Sequence, residues 1–171
     1  MERIVHNIPP VFDGSSRVLV LGSFPSVKSR EGRFFYHHPQ NRFWKVAACC
    51  LGTAACRGNL CEGYVPAEIE EKREFLLTHG IAVWDVIESC EITGSSDSSI
   101  KNAVPNDLSR ILKTAPVERI GCNGTASYTL YGKYLEQITK RAAVRLPSTS
   151  PANAAWSLER LVEAWRPFLA P

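Results

Sequence analysis

No stretch of this 171-residue chain approaches the roughly 20 consecutive apolar residues that a membrane-crossing helix needs. The opening segment, Met1 to Pro10, lacks the basic-then-apolar layout of a secretory signal, so an intracellular, cytoplasmic protein is expected. The six cysteines (49, 50, 56, 61, 90 and 122) show neither paired CxxC spacing nor the density of a disulfide scaffold. A metal site from Cys50, Cys56 and Cys61 would want a fourth ligand that the sequence does not supply, which favours reduced structural thiols. Repeats, low-complexity segments and interdomain linkers are also missing, which leaves one domain over 1–171. A serine-hydrolase elbow, G-x-S-x-G, does not occur, and only His6, His37, His38 and His79 could act as its base.

Excess charge is scarce too, at +3 net, but its distribution is uneven. From Lys28 to Lys45 there are five basic residues (Lys28, Arg30, Arg33, Arg42, Lys45) against Glu31. Lys140, Arg141 and Arg145 form a second basic cluster, whereas Glu62, Glu68, Glu70, Glu71 and Glu74 make the segment between acidic. One face suited to phosphates and another turned to solvent would produce this pattern.

Hydrophobic residues make up 44% of the chain, enough for a real core. Four short apolar runs read as buried strands: Arg17–Gly22, Ile81–Val86, Val117–Cys122 and Ala142–Leu146. Helical patterns alternate with them, at Phe43–Leu51, Pro66–Thr78, around Leu108–Leu112, at Tyr128–Ile138, and at Ala154–Trp165 with Pro167 near the end. This alternation predicts an α/β fold with a four-stranded parallel sheet covered by helices. Turn-forming polar residues follow each strand: Gly22-Ser23-Phe24-Pro25-Ser26, Asp85, Asn123-Gly124 and Pro147-Ser148-Thr149-Ser150-Pro151. Ligands bind at the carboxyl ends of parallel strands, so these four loops predict one site.

Two of the loops carry a family likeness. Gly22–Ser26, followed by Tyr36-His37-His38-Pro39-Gln40-Asn41-Arg42-Phe43-Trp44-Lys45, resembles the first motif of mismatch-specific uracil-DNA glycosylases. Leu146–Asn153 resembles the second motif of the uracil-DNA glycosylase superfamily, a loop that opens the last helix. The resemblance implies a single-domain α/β/α sandwich that excises deaminated bases from DNA and leaves an abasic site, with no metal or organic cofactor; a monomer is the default expectation for a domain of this size. Uracil-removing relatives place Asp, Glu or Asn in the first loop, where this chain has Ser23 and Phe24, and a histidine where it has Leu146. That departure, with Trp84-Asp85 and the long second loop, is similar to the hypoxanthine-DNA glycosylase branch, whose catalytic asparagine corresponds to Asn41.

The residues can be assigned chemistry on that footing. A glycosylase must extrude its target nucleotide, because the glycosidic carbon is shielded in the duplex. Tyr36 is the candidate to stack on the flipped base, or else a core tyrosine below the first loop; Phe24 also belongs to the base site. Asn41 is expected to orient a water toward the sugar carbon, and equally to cap the following helix. Asp85 is the second catalytic candidate, reading the base edge or holding a neighbour, and Asn123 could bind a purine edge or serve a turn. Ser150-Pro151 reads as a helix N-cap and first turn, so Ser148, Thr149 and Ser150 are expected on a DNA phosphate, as are Ser23, Ser26 and His38. Phe43 and Trp44 are read as core, and Asp97-Ser98-Ser99 with Lys101-Asn102 as a further polar loop expected to touch base or backbone, its place in the fold unassigned. Other readings are a uracil, xanthine or mismatched-pyrimidine glycosylase, a non-catalytic module that senses damaged bases, and a small-molecule serine hydrolase.

Overall fold

The computed structural model describes residues 2–171. In chain order the elements are β1 (Glu2–Val5), β2 (Val18–Gly22), α1 (Val27–Gly32), α2 (Phe43–Cys50), β3 (Ala54–Arg57), β4 (Leu60–Gly63), α3 (Ile69–Thr78), β5 (Ile81–Asp85) and β6 (Ile87–Ile92). A 3-10 turn at Asp97–Ser99 leads to β7 (Lys101–Pro105). There follow α4 (Ser109–Leu112), β8 (Arg119–Asn123), α5 (Thr125–Tyr134), α6 (Glu136–Thr139), β9 (Val144–Leu146) and α7 (Leu158–Leu169).

The four apolar runs form one parallel sheet in the order β5-β2-β8-β9. Every residue of β2 and β5 is buried, because helices flank the sheet and neither face of these strands meets water. α7 carries the widest apolar stripe, Leu158, Leu161, Val162, Trp165, Phe168 and Leu169, and packs against α2. Its approach to β8 depends on Gly121, where a Cβ would come within 2.5 Å of the Phe168 ring. α3 begins with a reciprocal capping box between Glu68 and Glu71 and is followed by Gly80 in the left-handed region, as the stop signal implied.

The pattern in the last third of the chain is corrected in one place. The final helix starts at Leu158, N-capped by the Ser157 side chain, and not at Ser150-Pro151; Ala154 lies outside it. The cause is Arg42, whose guanidinium donates to the carbonyls of Ser150, Asn153 and Trp156. Ser150 O and Asn153 O accept from Arg42 as well as from the N–H groups of Asn153 and Trp156 three residues on, which holds 151–156 as successive turns outside α7. The helix expected at Tyr128–Ile138 starts earlier, at Thr125, and breaks into α5 and α6 at Leu135.

Two smaller sheets were not anticipated. β3 and β4 form a hairpin, and β1, β6 and β7 form an antiparallel sheet that β6 enters directly from the end of β5. Val86 N–H still donates to Gly22 O and Ile87 N–H to Ser23 O, so this second sheet is fastened to the first loop. It delivers the β6–β7 connection, residues 93–100, to the carboxyl edge of the parallel sheet.

Candidate active site

The sheet order places β2 between β5 and β8, so the chain reverses its direction of winding beside β2. The crevice at such a switch point is the expected place for a ligand. A cavity of about 140 Å³ lies there, lined by Gly22, Asp85 and Asn123 at the strand ends and closed by Tyr36, Asn41 and Thr149. Ser23, Phe24, Ser26, Ser148 and Ser150 also line it, so ten of the eleven expected site residues converge on one pocket. His38 is the one left outside the lining; its Nδ1 accepts from Gln40 N–H and shapes the turn before Asn41. A larger groove of about 820 Å³ adjoins the pocket and shares Ser95, Asp97, Asn123, Ser148 and Ser150 with it.

Asn41, Thr149 and Asn123 form one hydrogen-bonded chain. Thr149 N–H donates to Asn123 Oδ1 at 3.0 Å, and Asn123 Nδ2 donates to Thr149 Oγ1 at 2.9 Å. The hydroxyl hydrogen of Thr149 then goes to Asn41 Oδ1 at 2.8 Å, and that oxygen also accepts from Phe43 N–H at 2.9 Å. The backbone donors fix both amide orientations, so Asn41 presents only its amino group to the pocket. The N-cap position of α2 falls on Arg42, one residue later than expected, but Asn41 still satisfies the first N–H of the helix with its oxygen while its amino group serves the pocket. Thr149, expected on a phosphate, is fully buried within this chain and acts by positioning Asn41.

The floor of the pocket is built around Gly22. An added Cβ there would lie 2.4 Å from Asp85 Oδ1 and 3.4 Å from Tyr36 Oη, so glycine lets both side chains in. Tyr36 Oη and Asp85 Oδ2 are buried without a hydrogen-bond partner. Burial, then repulsion from Asp97, pushes the Asp85 carboxyl up to about 8, so it is mainly protonated at neutral pH. Burial likewise raises the Tyr36 hydroxyl, with the adjacent Asp85 adding to the effect. His6 stands behind Asp85 with Nε2 at 3.8 Å from Oδ2, but burial lowers the imidazole to about 4. The two groups face each other as neutral species, with His6 Nε2 paired to Ile87 O at 2.9 Å.

Tyr36 has φ of 50°, a strained value for a bulky residue, and its carbonyl accepts from Trp44 Nε1 at 3.2 Å. Its ring stacks on Phe43 with centroids 4.4 Å apart, so the core supports one side of a ring that also lines the pocket. Phe24 is buried edge-on to His6, with the Arg30 guanidinium over its ring. Ser26 caps α1 by accepting from Ser29 N–H, and Ser23 donates to Asp97 Oδ1 at 2.7 Å.

The basic clusters contribute less free charge than their sequence suggests. Arg42 is committed to three loop carbonyls, Arg30 to Pro25 O, Arg141 to Val117 O, and Lys28 lies beside Glu31. Arg145 is exposed and lines the groove, where Gly124, Thr125 and Ala126 bring the start of α5. The clamp made by Arg42 was not visible in the sequence, and the Asp97 loop was legible as a polar contact loop but not as part of this pocket. Neither side of Gly94-Ser95 alternates cleanly between apolar and polar residues, so no local pattern announced the hairpin that carries Asp97.

A family model for the uracil DNA glycosylase superfamily matches residues 9–169, which include every residue of this pocket. The chain belongs to that superfamily. It is thus a DNA glycosylase, a hydrolase of N-glycosidic bonds, and damaged DNA is its substrate. A hypoxanthine DNA glycosylase of Methanosarcina acetivorans is 30% identical over 157 residues, 92% of this chain and 93% of the relative. One of Methanosarcina barkeri is 30% identical over 108 residues, 63% of each chain. A solution NMR structure from Methanosarcina acetivorans, provisionally named a uracil DNA glycosylase, superposes with a TM-score of 0.77 at 29% identity, covering 96% of this chain and 95% of that one. In this glycosylase none of the four histidines forms a side-chain hydrogen bond with a serine hydroxyl among the described residues, which removes the basis of the serine-hydrolase reading.

Proposed function

We propose that this glycosylase removes hypoxanthine from deoxyinosine in DNA and leaves an abasic site. The observation that carries this is the pair of unpartnered buried atoms, Tyr36 Oη and Asp85 Oδ2, beneath a pocket without a first-loop carboxylate. A buried polar atom without a partner costs about 1–3 kcal/mol, which a base edge that hydrogen-bonds it recovers. At neutral pH Tyr36 and protonated Asp85 both offer O–H donors, matching the adjacent acceptors O6 and N7 of hypoxanthine; uracil has no ring-nitrogen acceptor beside its exocyclic oxygens. The relatives named as hypoxanthine DNA glycosylases support the same substrate.

The pocket is smaller than the ~300–1,000 Å³ typical of drug-sized ligand clefts and suits a base, while the backbone runs in the groove. Arg145, Ser148 and the start of α5 provide charge and N–H donors for its phosphates. The Asn41 amino group holds a water by its oxygen beside the sugar carbon. No residue of the pocket is a lysine, so the reaction is assigned as monofunctional hydrolysis without Schiff-base chemistry.

Mass spectrometry of the base released from oligomers carrying a single hypoxanthine, uracil or xanthine tests the substrate. Hypoxanthine as the main product supports the assignment. Release of uracil or xanthine in its place would overturn the substrate and leave the family unchanged.

A further inference from the structure

Asn41 cannot complete the hydrolysis alone. An attacking water must give up a proton, and Asn41 Oδ1 already accepts from Phe43 N–H and Thr149 Oγ1. Its amino group can hold the water but cannot take that proton. The first loop offers only Ser23 and Phe24, and Asp85 already holds a proton at neutral pH. Another acceptor is needed at the sugar.

Asp97 fits that position. It arrives from the β6–β7 connection, and its Oδ1 accepts from Ser23 Oγ at 2.7 Å. Its other oxygen has no hydrogen-bond partner among the described residues. Asp97 lines both the small pocket and the groove. With a base in the pocket and its phosphates in the groove, the sugar lies at the boundary that Asp97 occupies. The carboxylate missing from the first loop is thereby present in space, supplied from 74 residues away.

We propose that Asp97 is the general base of the glycosidic hydrolysis, held at the first loop by the Ser23 hydroxyl. The water on the Asn41 amino group attacks the sugar C1′ as the C1′–N bond breaks. The electron pair of that bond leaves with the base, and the water proton moves to the free Asp97 oxygen. That proton then passes to the departing base or to solvent, which restores the carboxylate and leaves a hydroxyl on the abasic sugar. Burial raises the Asp97 carboxyl above its usual range, against the opposing pull of Ser23, and so strengthens it as a proton acceptor. The titratable groups that sense its charge are Asp85 from β5 and Cys90 from β6.

The proposal rests on the glycosylase reaction but not on hypoxanthine as the base. Its test is single-turnover base release by wild type and Asp97→Asn, followed across pH on whichever of the hypoxanthine and uracil oligomers wild type cleaves. Asparagine keeps an oxygen for the Ser23 hydrogen and loses only the basicity. The rate constant should fall by about 10²–10⁴-fold, with oligomer affinity by fluorescence anisotropy unchanged. The wild-type rate should rise with pH through one ionisation that is absent from the residual rate of the variant. A variant within about threefold of wild type, or a slow variant that keeps the same ionisation, would overturn the role of Asp97. Cleavage of uracil in place of hypoxanthine would overturn the substrate alone, since the variant comparison is made on either base.

Discussion

Thr149 Oγ1 donates to Asn41 Oδ1 at 2.8 Å and so joins two loops 108 residues apart. The same hydroxyl accepts from Asn123 Nδ2 at 2.9 Å, which leaves its hydrogen only one direction. Three loops at the sheet edge thus fix one amide, and the Asn41 amino group is aimed before substrate arrives. Preorganised donors of this kind avoid a reorganisation cost during reaction.

Replacing Thr149 with valine keeps the volume and removes the relay. Two half-buried partners, Asn41 and Asn123, then lose a hydrogen bond, at about 1–3 kcal/mol of stability in all. The single-turnover rate should fall about 10–100-fold, because a mispositioned group costs that much without touching the chemistry. Thr149→Ser retains the hydroxyl and should recover most of the rate.

Arg42 holds the second loop by donating to Ser150 O at 3.2 Å, Asn153 O at 2.9 Å and Trp156 O. A lysine has no planar fork to serve three carbonyls at once. Arg42→Lys should therefore loosen residues 150–156, speed amide exchange there and weaken DNA binding about tenfold, roughly 1.4 kcal/mol. Hydrogen exchange and anisotropy measured on the same preparation check both effects. Unchanged exchange in the loop would contradict the clamp.

Asp85 makes a prediction about pH. Its folded carboxyl titrates at about 8 against an ordinary 3.8, so between these values the native state binds more protons than the unfolded chain. Stability contributed by this group is present below the unfolded value and is lost as pH rises toward 8. Asp85→Asn removes the loss, so the gap in Tm between variant and wild type should widen from pH 5 to pH 8. A gain of only 1 kcal/mol at pH 8 corresponds to about 2–4 °C for a chain of this size. His6, lowered to about 4, works in the other direction: stability rises with pH from there to about 6.5 in both proteins. A constant gap across pH 5–8 would place the Asp85 carboxyl in the ordinary range.

The parallel sheet was legible because buried strands leave an unmistakable mark, as in Val18-Leu19-Val20-Leu21, apolar at every position. Strand ends then located Gly22, Asp85 and Asn123, and the first-loop string located Tyr36 and Asn41. The antiparallel sheet was not legible, since β7 is half exposed and its pairing with β6 has register shifts near Ser89, which blur a period of two. The place of the Asp97 loop at the first loop was hidden with it, though its polar residues were legible. Ser150-Pro151 misled for a different reason: its local cap signal is overruled by Arg42, a contact more than a hundred residues distant that no local pattern encodes.

The most direct measurement compares hypoxanthine release from deoxyinosine oligomers by wild type and Asn41→Ala, under single-turnover conditions with mass-spectrometric detection of the free base. The structure predicts release by wild type and a fall of at least about 100-fold in a folded variant that still binds the oligomer. Equal release by both proteins would contradict the aimed amide as the centre of the site, and release of no hypoxanthine by wild type would contradict the proposed function.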